Sequence, residues 1–119
     1  MKPKRPQAPV TIMYHADAEE SMRSELDPRT AADVTALIDD LDGRTHQEIV
    51  ARLDERTERK IYQLEKSHPA GTLRVVFAWG KGCLWFIGAF VKHNDPEGER
   101  FMKHIRPRAK QVEKLGVDD

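Results

Sequence analysis

Arg74 is the single charge within Leu73–Trp79, a run apolar at every other position. A guanidinium among apolar neighbours needs either a counter-charge or an open cleft. In a cleft, an arginine holds phosphate through two parallel hydrogen bonds. In an ion pair, with Glu65 or an acidic residue of the helices, it is structural. His93 and His104 carry imidazoles that titrate near neutrality and suit proton transfer. His104 sits two positions past Met102, off the Phe101–Ile105 stripe, so a solvated surface histidine is the competing account. His15, His46 and His68 are scattered without ligand spacing, so no metal is expected. No cofactor is expected either, and Gly80-Lys81-Gly82 is a hairpin turn that lacks the following helix a phosphate loop requires.

A hairpin must position these groups. Thr72–Trp79 reads as one strand, Gly80-Lys81-Gly82 as the turn and Cys83–Lys92 as the next strand. Both strands are apolar almost throughout, which suggests central strands covered on both faces. A three-residue turn sets Trp79 opposite Cys83 and Arg74 opposite Gly88. Arg74 then shares a face with Phe90 and Lys92, and Gly88 leaves open space beside the guanidinium. His93 reaches the same place from the frayed strand end. A two-residue turn reverses the parity and puts His93 on the Arg74 face instead. With the three-residue turn, Trp79 and Trp85 share a face with Leu73, Val75, Phe77 and Ile87. That placement favours core over base stacking, and Cys83 reads as packing.

Helices flank the hairpin. Asp27 is an N-cap, Pro28 fits the first helical position, and Gly43 sits at C′. Between them Val34, Leu37, Ile38 and Leu41 form one apolar stripe. Thr45-His46-Gln47-Glu48 is a capping box that opens a second helix with Ile49, Val50 and Leu53 on one face. That helix either continues to Lys66 or gives way to a short strand over 60–65; periodicity leaves both open. Ser67–Gly71 ends whichever element forms. Val10–Tyr14 is a short first strand. Asp95 is read as the cap and Pro96 as the first position of a last helix, kinked or broken at Pro107.

The chain of 119 residues is the size of one domain, read as a basic flexible arm over 1–9 and a single domain over 10–119. The arm is either a solubilising tail or a phosphate contact. Lys and Arg total 20, as do Asp and Glu. The balance hides an asymmetry: residues 1–58 hold 8 basic and 13 acidic side chains, residues 59–119 hold 12 and 7. The second half would draw a polyanion such as RNA, unless the halves merely complement each other. A mean hydropathy of -0.68 excludes a membrane protein, and no secretory signal is expected from the N-terminus. One cysteine fits a reducing cytoplasm.

Three segments carry a family resemblance: Ile61-Tyr62-Gln63-Leu64-Glu65, Leu73-Arg74-Val75-Val76-Phe77 and Ile87-Gly88-Ala89-Phe90-Val91-Lys92-His93. In order and spacing the chain resembles the RelE/ParE toxin superfamily, and most of all its HigB branch, over roughly residues 60–112. Glu65 stands where relatives commonly have Arg; Lys66 follows it and is either a replacement charge or an ordinary loop lysine. The resemblance implies an α+β fold, RelE-like: a small antiparallel sheet meander packed by two N-terminal helices and a C-terminal helix, with one sheet face open. It implies a metal-independent endoribonuclease that cleaves messenger RNA on the ribosome and is neutralised by a cognate antitoxin protein. The expected site is Arg74, Lys92, His93, Lys66 and His104. Two other functions fit the same fold: a ParE-like toxin that inhibits a topoisomerase, and an inactive protein-binding module.

Overall fold

The structure, a computed structural model, describes residues 8–55 and 61–116. It is an α+β domain. In chain order it contains β1 (Ile12–Tyr14), α1 (Ala16–Glu25), α2 (Pro28–Leu41), α3 (His46–Val50), β2 (Asp54–Glu55), β3 (Tyr62–His68), β4 (Gly71–Gly80), β5 (Cys83–Lys92) and α4 (Asp95–Gly116). The sheet runs β1-β5-β4-β3-β2. Strands β2 to β5 form an antiparallel meander, but β1 pairs parallel to β5, so the sheet is mixed rather than antiparallel throughout.

Local chemistry explains the helices. Asp27 caps α2, accepting the Thr30 N–H at 2.9 Å, and Pro28 opens the first turn. Gly43, at φ +82°, takes the left-handed conformation just past its end. Both halves of the Thr45/Glu48 capping box are made in α3, which stops at Val50. Ile49 and Leu53 are buried, whereas Val50 is 45% exposed and leaves the expected face. The strand alternative holds beyond it, in β3. Residues 56–60 and 1–7 lie outside the described residues, so the arm is described only where Pro9 bridges Thr45.

Two elements differ from the sequence-based expectation at their starts. Helix α1 was not expected, since Ala18 and Met22 are its only buried residues and its cap is His15, whose Nδ1 accepts the Asp17 N–H. Asn94, not Asp95, caps α4, accepting the Glu97 N–H at 3.0 Å. Helix α4 runs through Pro107 unbroken.

The hairpin turn has two residues, not three. Gly80 pairs with Cys83, and Lys81 and Gly82 both have positive φ (56° and 72°), the pattern that matches strand twist. The register then shifts. Phe77 faces Phe86 but Val76 faces Gly88, leaving Ile87 as an extra residue in a bulge. Beyond it Arg74 faces Phe90 and Thr72 faces Lys92. The bulge restores the parity that the short turn reversed.

Both sheet faces are covered, so no face is open. Leu73, Val75, Phe77, Leu84 and Phe86 pack with Val34, Ile38, Leu41 and Ile49 on the α1–α3 side. Val76, Ala78, Ile87 and Phe90 pack with Met102, Ile105 and Val112 of α4. A Cβ on Gly80 would lie 2.4 Å from the Val112 carbonyl oxygen, so glycine lets α4 seat against the hairpin.

Candidate functional site

The charged end of the α4 face is where β3 and β5 finish and β4 begins. Arg74 and Glu65 are cross-strand partners, so both side chains leave the same face, the one that Val76 and Phe90 bury under α4. Lys92 lies two residues past Phe90 and therefore shares that face. Arg74 and Lys92 line one cavity of about 190 Å³, together with Asp95, Gly98 and Glu99 from the first turns of α4.

Each cation meets a carboxylate. Arg74 Nε lies 2.9 Å from Glu65 Oε1, with its side chain 15% exposed. The N–H is not aimed along that vector, so the contact is an ion pair rather than a hydrogen bond. Gln63 Nε2 donates to the same Oε1 at 2.8 Å. Lys92 Nζ sits 2.6 Å from Asp95 Oδ1, three residues on. That bond and then the Lys92 charge hold the Asp95 carboxyl below its ordinary 3.8; burial opposes them, and the more distant Arg74 charge adds the least. Gly71 secures this corner: its Cβ, were there one, would lie 2.4 Å from the Lys92 carbonyl oxygen.

Of the residues expected at the site, Arg74 and Lys92 are brought together. His93 follows Lys92 directly, exposed just past the strand, with its backbone N–H 3.3 Å from Glu97 Oε2. Lys66 pairs with Leu73 and projects from the other face, into a cavity of about 440 Å³ beside Asp27, Thr30 and His68. It thus lies on the face opposite Glu65 and Arg74. His104 lines a third cavity, of about 330 Å³ between α1 and α4, with Ser21, Glu25, Arg100 and Arg108.

Gly88 does not open space beside Arg74. It faces Val76, and a Cβ there would lie 2.8 Å from Ile105 Cδ1 and 3.2 Å from Phe101 Cε1, so α4 fills the gap. The tryptophans lie on opposite faces rather than together: Trp79 packs with the α1–α3 core and against the His46 ring, Trp85 with the α4 core. The Trp85 N–H is spent on the Gly80 carbonyl at 3.0 Å.

Asp95 and Glu99 were not anticipated as neighbours of Arg74. Their signal was present in sequence: a carboxylate three residues after Lys92, and another one helical turn later on a helix whose apolar face is fixed by Phe101 and Ile105. Among the described residues no three His, Cys, Asp or Glu are grouped to hold a metal, and no helix is long and apolar enough to cross a membrane. No protein-family model, curated protein or solved structure matches the chain.

Proposed function

We propose that the chain is a RelE/HigB-type toxin, a ribosome-associated endoribonuclease that cleaves messenger RNA in the cytoplasm and is held in check by a cognate antitoxin. The observation that carries this proposal is the meeting of Arg74 and Lys92 in one cavity, at the end of the strands that hold the resembling segments. In the reaction the ribose 2′-hydroxyl attacks the adjacent phosphate, and negative charge builds on the phosphorane. Arg74 stabilises that charge, fixed by its strand before the substrate arrives, and Lys92 adds a second cation. His93, at the open end of β5, protonates the leaving 5′-oxygen. Lys66 and His104 line other cavities and have no part in this proposal.

A second reading is favoured by a specific observation: Glu65 on Arg74 and Asp95 on Lys92 neutralise both cations. Such pairing suits a protein-binding module of the same fold that has lost catalysis. The two separate in a translating extract to which purified protein is added and whose messenger ends are then mapped. The toxin gives new ends inside codons, only while ribosomes translate. Intact messages and normal translation refute it and leave the binding module.

A further inference from the structure

The carboxylate that neutralises Arg74 has the geometry of a working group. Glu65 and Arg74 sit opposite each other on β3 and β4, and Glu65 Oε1 takes both contacts, from Gln63 Nε2 at 2.8 Å and from Arg74 Nε at 2.9 Å. Among the described residues neither Glu65 Oε2 nor the two terminal nitrogens of Arg74 makes a hydrogen bond. The Glu65 side chain is 37% exposed. One oxygen thus orients the carboxylate while the other makes no hydrogen bond. On the guanidinium, the Nε edge is taken and the terminal edge stays available for phosphate.

A ribose carries its 2′-hydroxyl and its 3′-phosphate on adjacent carbons, so a base for the first must neighbour the binder of the second. Resting on the ribonuclease proposal above, we infer that Glu65 is the general base of this site. Glu65 Oε2 takes the proton as the 2′-O–H bond breaks. The freed oxygen lone pair forms the bond to phosphorus, and the P–O5′ bond breaks with its electron pair leaving on the 5′-oxygen. His93 gives that oxygen a proton. The products are a 2′,3′-cyclic phosphate and a 5′-hydroxyl, and Glu65 returns its proton to water. Glu65, set where the resembling family commonly has Arg, is then a functional replacement, and the charge it brings against phosphate is offset by Arg74 and Lys92.

The test compares wild type, Glu65→Gln and Glu65→Asp in the translating extract, scoring cleavage rate and the cyclic phosphate end, with circular dichroism to check folding. Loss of a general base costs about 10²–10⁴-fold, so Glu65→Gln is expected to fall at least a hundredfold while folded. Glu65→Asp, with a shorter base, retains part of the rate. A folded Glu65→Gln protein that cuts as fast as wild type, or faster because Arg74 is released, overturns the assignment while leaving the ribonuclease proposal standing. If wild type cuts nothing, the proposal and this inference fall together. Should Glu65→Gln not fold, Glu65→Asp decides: a folded aspartate protein with no measurable cleavage, or with the wild-type rate, overturns the base.

Discussion

One strand feeds two polar clusters of opposite character. From β3, Glu65 goes to the α4 face, while Lys66 and His68 go to the α1–α3 face. On the second face Asp27, Thr30 and His68 form a connected chain of hydrogen bonds. Thr30, 2% exposed, gives its hydroxyl hydrogen to Asp27 Oδ2 at 2.8 Å and lies 3.3 Å from His68 Nε2; the Ala70 N–H donates to His68 Nδ1 at 3.2 Å. Since Nδ1 accepts, the ring hydrogen is on Nε2 and points to the threonine oxygen. This chain bolts the start of α2 to the β3–β4 turn. Around Arg74 the contacts are fewer, the groups are charged and atoms without a hydrogen bond remain. A connected polar network supports the fold, whereas the cluster around Arg74 keeps the unbonded polar atoms on which the proposed chemistry rests.

The largest effect expected from this contrast is on catalysis. Arg74→Ala removes one preorganised donor and should lower messenger cleavage by about 10²–10³-fold, equivalent to about 2.7–4 kcal/mol of transition-state stabilisation. Its ion pair is worth far less to stability, because Glu65 is partly exposed and solvent screens the pair. Thr30→Val inverts the pattern. It leaves Asp27 Oδ2 and His68 Nε2 without their shared hydroxyl, so thermal or urea unfolding should show a loss of about 1–2 kcal/mol, with the cleavage rate unchanged.

Acid should weaken both clusters, more gently. Asp27 is held below its ordinary 3.8 first by the Thr30 backbone N–H and then by the Thr30 hydroxyl, and Asp95 first by its hydrogen bond to Lys92. Glu48 is held below 4.5 first by the Thr45 N–H. Lowered native values mean that the unfolded chain binds these protons more readily. The stabilisation is therefore complete above the ordinary carboxylate values and is lost as pH falls through the lowered ones. A melting-temperature profile should stay level down to about those ordinary values and then decline. The smallest effect is expected from Lys66→Ala, which projects from the wrong face and should leave the cleavage rate of the extract assay at that of wild type.

Much of this arrangement was legible from local chemistry. Asp27, Pro28 and Gly43 bracket α2, and the Thr45/Glu48 box starts α3, because caps satisfy backbone groups within a few residues. The common face of Arg74 and Lys92 was also anticipated, yet through two errors that cancel. The turn is one residue shorter than Gly80-Lys81-Gly82 suggested, and the bulge at Ile87 adds a second one-residue shift, so Arg74 faces Phe90 rather than Gly88 but the parity is kept. Nothing at Ile87 marks a bulge, since the extra residue is apolar and is accommodated by packing with α4. The parallel pairing of β1 and the burial of Gly88 under Ile105 and Phe101 are likewise long-range outcomes. The polar sequence of α1 gave little stripe to read, as only Ala18 and Met22 are buried.

The most direct measurement places Arg74→Ala and Thr30→Val side by side in the translating extract, at equal concentrations of folded protein. Arg74→Ala is expected to lose at least a hundredfold in messenger cleavage while Thr30→Val cuts at the wild-type rate. Wild-type cleavage by Arg74→Ala, or equal losses in the two variants, would contradict the claim that the end of β4 is the site of chemistry.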